Sequence, residues 1–310
     1  MHCLITGGGG FIGSRLVEAF ISYGWHVTIV DPRHPRIEAS CLTSRRFLHI
    51  PEPITNSPSL DKALERTDVL VHLAWTTTPG SSMEAPENDV SSNLLTSIRV
   101  FKKAIEKNVK KIVFSSSGGT VYGRALYLPI DEEHPTNPIS SYGITKLAVE
   151  KYLQCFYYAT GVPIAIFRIA NAYGPGQPFD RSQGIISAFM AKIFRGEALS
   201  IWGDGSVVRD YVFIDDIVEA LRAAVERNPS SHIFNIGTGQ GTSVLEILEY
   251  LRNVTAADFE VKFSPGRPFD PPANVLDWSR AAKELDWHPK TPLYQGMVKT
   301  WRWIQETLKK

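Results

Sequence analysis

Near its N-terminus the chain runs from a short apolar stretch, residues 2–6, through four consecutive glycines, Gly7 to Gly10, into a segment, 11–23, whose apolar residues recur at helical spacing. No other feature narrows the fold as much. A strand that turns on glycine straight into a helix opens a β-α-β crossover, because the turn needs backbone without Cβ and the helix must pack back closely on the strand it left. The same rhythm continues. Strands are expected at 25–30, 46–50, 69–73, 111–115 and 164–168, with crossover helices at 88–107 and 141–159. The expected fold class is therefore α/β, with a doubly wound parallel sheet.

After Asn171 the pattern is less regular, with helical spacing at 185–195, 215–226, 243–252 and 293–308 and a short strand at 233–235. The expected division is a cofactor-binding domain over residues 1–170, to which 211–237 return, and a smaller C-terminal α/β substrate lobe over 171–310. Proline clusters at 51–58, 79–86 and 265–272 are expected to be loops.

Lysine and arginine number 33 against 32 aspartates and glutamates, with no block of like charge. Neither nucleic acid nor a membrane is an expected partner, and a small molecule is. Cys3, Cys41 and Cys155 stand far apart without a C-x-x-C pair, so no disulfide framework and no metal site are expected, and a reducing cytoplasm is the expected setting. The N-terminus enters a strand without a basic leader or a long apolar stretch, which leads us to expect a soluble, unprocessed chain.

The glycines fit two phosphate-cradle patterns, G-x-x-G-x-x-G through Gly7, Gly10 and Gly13, and G-x-G-x-x-G from Gly8. Glycine lets backbone approach a diphosphate, and the helix opened by Phe11 and Ile12 aims free N–H groups at it. Asp31 ends the second strand. Its carboxylate can accept from adenosine ribose hydroxyls and would repel a 2′-phosphate, so the expected cofactor is NAD rather than NADP. Two further readings stay open, Asp31 as the start of an Asp-Pro turn and Arg33 as a phosphate ligand. Ile54, Leu73 and Ser115 are further candidate cofactor contacts.

Tyr142 and Lys146 lie four apart where a helix is expected to begin, so they share a face. A tyrosine with a solution pKa of about 10 becomes a useful base near neutrality only where positive charge stabilises its phenolate. Lys146 and an oxidised nicotinamide would both supply that charge.

Taken in order, the glycine turn, Ser115-Ser116-Ser117-Gly118-Gly119-Thr120-Val121-Tyr122-Gly123, the Tyr142/Lys146 pair, Asn171-Ala172-Tyr173-Gly174-Pro175, Trp202-Gly203-Asp204-Gly205 and Arg209-Asp210-Tyr211 resemble the extended short-chain dehydrogenase/reductases. Within these the chain resembles the NAD-dependent epimerase/dehydratase family and its UDP-glucose 4-epimerase branch. The resemblance implies a Rossmann-type first domain, tightly bound NAD, a nucleotide-sugar substrate and a homodimer. It makes Tyr142 the base beside the cofactor, gives Lys146 the nicotinamide ribose, and gives Ser117 the reacting sugar hydroxyl. Thr120 is the alternative, since counting back from Val-Tyr-Gly lands on Gly118. It also assigns Asn171 and Arg209 to the diphosphate, Arg267 and Asp270 to phosphate and uridine ribose, and Asn274 to a gate that admits N-acetylated sugars, unless Pro271 and Pro272 turn the loop away and leave Asn274 a turn former. Asn93 matches an asparagine near the cofactor, or is an ordinary helix-surface amide. Where relatives often carry an acid at the adenine, this chain has Pro53.

The reaction implied is epimerisation through a 4-keto sugar. The alternatives are a 4,6-dehydratase, an epimerase or decarboxylase of UDP-glucuronate, and a non-catalytic NAD sensor. Elimination is disfavoured because Gly119 and Thr120 stand where related dehydratases carry Asp-Glu. A dimer would pair helices through Leu95, Ile98, Leu153 and Phe156, unless these belong to the core.

Overall fold

A computed structural model describes residues 1–180, 184–266 and 271–309. Its main sheet has seven parallel strands, β1 (His2–Thr6), β2 (His26–Val30), β3 (Phe47–Ile50), β4 (Val69–His72), β5 (Lys111–Ser117), β6 (Ile164–Ile169) and Ile233–Ile236. Across the sheet the order is Ile233–Ile236, β6, β5, β4, β1, β2, β3. The direction of winding reverses between β1 and β4, and that reversal opens a cleft beyond the carboxyl ends of the strands. Central strands such as β4 and β6 are buried at every position, which is why, apart from His72 and Arg168, they read as continuous apolar runs rather than alternating ones.

Helices cover both faces. Phe20, Ile29, Phe167 and Leu221 pack together under α1 (Phe11–Ser22) and the helix Ile214–Glu226. Leu70, Phe101, Phe114 and Leu153 do so under the helices Leu95–Glu106 and Ser141–Thr160. A third cluster, with Phe189, Met190, Phe213 and Ile247, fills the C-terminal part. There the strand Val208–Phe213 pairs with Asn171–Tyr173, Gly241–Ser243 and Ala273–Asn274. Among the described residues no helix is long and apolar enough to cross a membrane.

Three expectations need correction. The prolines at 79–86 do not mark a loop: Pro79 and Pro86 begin the short helices Pro79–Glu84 and Pro86–Asp89, at the first-turn position where a missing N–H does no harm. The helix expected over 88–107 is interrupted by a π-helical turn, Val90–Leu94, before continuing as Leu95–Glu106. Leu153 is wholly buried and Phe156 packs against the same cluster, so for these two the core reading holds over a dimer contact, while Leu95 is 43% exposed.

Candidate active site

The glycine turn sits at the reversal point. Gly7 has φ +79°, and a Cβ there would lie 2.6 Å from the Ala74 nitrogen; one on Gly13 would lie 2.3 Å from the Gly7 carbonyl. The turn thus admits close backbone approach and holds α1 against it. Gly10 precedes α1 without a side-chain cap, and the helix has no acid in its first turn, leaving donors free for an anion. Asp31 is 3% exposed and accepts from Gly9 N–H at 3.1 Å and Arg33 N–H at 2.8 Å. The Arg33 guanidinium folds back onto it at 3.2 Å, so Arg33 is this carboxylate's partner. Leu73 follows β4 and donates its N–H to the Thr6 carbonyl. Ile54 starts a short turn beside Thr55 and Arg99, and neighbouring Glu52 is occupied by the Ser57 and Ser59 hydroxyls. The glycine cradle, the free helix donors and the buried acid fit an NAD diphosphate and adenosine ribose.

The second half of the site rides on the helix Ser141–Thr160. Ser140 Oγ caps this helix by accepting from Gly143 N–H at 3.2 Å, and Ser82 Oγ accepts from Tyr142 N–H at 3.0 Å. Lys146 is 3% exposed; its ammonium donates to the Ser115 carbonyl at 2.7 Å and lies 3.7 Å from the centre of the Trp75 ring. Burial pulls Lys146 down to about 7, against the opposing pull of Glu150 and Asp89. Trp75 meets Tyr142 edge to face at 5.7 Å. Burial, and then the Asp89 charge, push the Tyr142 phenol well above its ordinary value.

Ser117 ends β5, and its carbonyl accepts from Thr120 and Val121 N–H in a tight turn. A Cβ on Gly118 would lie 2.5 Å from a Leu276 methyl and 3.0 Å from the Arg168 carbonyl, so a hydroxyl side chain there would require Leu276 to move. The Thr120 hydroxyl is buried without a partner among the described residues. Asn274 is fully buried and donates to the Gly118 carbonyl at 3.0 Å, with its own amide oxygen unpaired among those residues. The small sheet sets Asn274 beside Arg209 and Asn171 beside Tyr211. Asn171 donates to the Asp210 carbonyl at 3.1 Å, and Arg209 to the Val208 and Pro271 carbonyls, each at 2.8 Å. Arg267 and Asp270 lie outside the described residues.

Asn93 is not a surface amide. It is 3% exposed, accepts from Thr76 N–H at 2.9 Å and donates to Asp89 at 2.8 Å. Sequence reasoning missed Asp89, Trp75 and His72. His72 bridges Thr6 and Ser97 at 2.6 and 2.9 Å, and burial pushes it down to about 3. No local spacing marks these three, since each acts on residues distant in the chain.

Residues 3–237 match the model of the NAD dependent epimerase/dehydratase family, and the chain belongs to that family. It is similar to the UDP-glucose 4-epimerase of Mycolicibacterium smegmatis, 34% identical over 304 residues that cover 97% of each chain. Among solved structures it resembles the UDP-glucose 4-epimerase of Thermotoga maritima with UDP-glucose, at TM-score 0.93 and 35% identity over 99% of this chain and 100% of that one. The UDP-N-acetylglucosamine 4-epimerase of Methanobrevibacter ruminantium aligns at TM-score 0.91 and 27% identity, over 99% of this chain and 98% of that one.

Proposed function

We propose that the chain is an NAD-dependent UDP-hexose 4-epimerase whose base is Tyr142. The observation that carries this reading is the buried Lys146 ammonium, held on the same helix face as Tyr142 and tied to the Ser115 carbonyl near the carboxyl end of β5. Bound in the cleft, NAD supplies the acceptor and later the donor of the sugar's hydride. Tyr142 takes the proton of the 4-hydroxyl as that carbon loses its hydride, leaving a 4-keto sugar, and returns the proton to the oxygen when the hydride comes back to the opposite face. Ser117 holds the reacting hydroxyl, with Thr120 as the alternative. Asn171 and Arg209, with Arg267 and Asp270, anchor the diphosphate and uridine ribose while the sugar turns. In this reading residues 1–170 with 211–237 serve the cofactor and 171–310 the sugar nucleotide.

Incubating the protein with UDP-glucose, UDP-galactose and their N-acetyl counterparts, with products identified by NMR, tests the reaction. Tyr142→Phe should lower turnover by about 10²–10⁴-fold while NAD stays bound; a variant that turns over at the wild-type rate removes Tyr142 as the base. Asn274→Tyr should lower kcat/KM for N-acetylated relative to plain sugars by about 10-fold or more. An unchanged ratio means that Asn274 is not the gate. The same reading takes the protein as a cytoplasmic homodimer, supported by free Cys3, Cys41 and Cys155 and by exposed Leu95, Ile144 and Tyr152 on two neighbouring helices. Cell fractionation and light scattering check the two points.

A further inference from the structure

Asp89 is fully buried, and no cation pairs with it among the described residues. Its carboxylate accepts from the Thr77 hydroxyl at 2.5 Å and the Asn93 amide at 2.8 Å on one oxygen, and from the Ser141 hydroxyl at 3.0 Å and the Thr145 hydroxyl at 2.8 Å on the other. Ser141 and Thr145 flank Tyr142 and Lys146 on the catalytic helix, so one carboxylate fixes that helix's rotation against the segment after β4. It also lies at the helix N-terminus, where a negative charge is favoured.

We infer that Asp89 is a positioning residue for the proposed epimerisation, fixing where Tyr142 points and opposing the loss of its proton. The inference rests on Tyr142 being the base. The charged and aromatic groups around the Tyr142–Lys146 pair are few. On the helix of Tyr142 are Lys146 and then Glu150, which is paired with Arg168. From β4 comes His72, which burial keeps neutral, and from the segment after β4 and from β5 come the apolar rings of Trp75 and Phe114. Asp89 is the one carboxylate among them bound only to neutral donors. Lys146 and an oxidised nicotinamide both favour the phenolate, but the second half of the reaction needs Tyr142 protonated so that it can give the proton back. A buried negative charge offsets those cations and leaves the proton transferable in both directions.

The test is the pH dependence of kcat/KM for the NAD-loaded protein. Asp89→Asn keeps the shape and the hydrogen bonds, since the Ser141 and Thr145 hydroxyls can accept from the amide. Without the charge both Tyr142 and Lys146 lose their protons more easily, so both limbs should move to lower pH by about one unit, a ten-fold change in proton concentration. Asp89→Glu should restore them. Limbs that stay in place in Asp89→Asn would overturn the electrostatic role. Thr145→Val keeps the charge and removes one tie to the helix; kcat should fall several-fold with KM and both limbs unmoved, and an unchanged kcat overturns the positioning role even if Asp89→Asn does not fold. Tyr142→Phe separates the two levels: if it turns over normally the base assignment fails, whereas if it is inactive and the Asp89→Asn limbs stay put, only this inference fails.

Discussion

Two buried carboxylates act on Lys146, and they are satisfied in different ways. Glu150 pairs with Arg168 at 2.7 Å, both almost wholly buried, and takes a further bond from Ser116. Arg168 continues to the Tyr122 hydroxyl at 3.0 Å, which donates to Asn235 at 2.7 Å, so the network joins β5, β6, the helix Ser141–Thr160 and the strand Ile233–Ile236. Asp89 meets only hydroxyls and an amide. A carboxylate locked to a guanidinium confines its charge to the pair, whereas one held by neutral donors keeps a field that reaches its neighbours. The first arrangement binds strands together; the second acts on the protonation of Tyr142 and Lys146.

The largest effect expected from breaking this comparison is on stability. Arg168→Ala strands the Glu150 charge and should cost about 3–5 kcal/mol in urea unfolding, while Arg168→Met with Glu150→Leu should recover most of the loss. An Arg168→Ala protein as stable as wild type would show that the pair is not what holds these strands. A comparable effect, spread over pH, sharpens the comparison at Lys146, which neither carboxylate pairs directly. Its folded value near 7 lies below the unfolded 10.5, so between those pH values the unfolded chain binds more protons and stability rises with pH. For the NAD-free protein this group should contribute about 1.4 kcal/mol per pH unit across that window. Lys146→Met should remove that part of the slope, and an identical slope in the variant would contradict the depressed value.

The parts of the candidate site legible in the sequence are those whose geometry is local. The glycine turn needs only its own backbone freedom and the helix behind it, and Tyr142 and Lys146 share a face because a helix turn brings residues four apart together. Asp89 could not be read this way: its partners Ser141 and Thr145 are 52 and 56 residues away, and nothing in a Pro-Glu-Asn-Asp stretch says that it will be carried inward ahead of a π-helical turn. The prolines at 79 and 86 misled for a related reason, since a proline ends one helix or begins another according to the residues on its C-terminal side.

By itself the sequence determined the doubly wound sheet, the glycine turn between its first strand and helix, and the shared helix face of Tyr142 and Lys146, because hydrophobic period and short-range geometry fix these before any long contact forms. Tertiary structure alone decided which buried charges are paired, that Arg33 is tied to Asp31, that Gly118 packs against Leu276, and that Asn274 is bound to the Gly118 carbonyl. Each of those depends on which groups lose water together when distant segments meet, and burial of that kind has no signature in residue spacing.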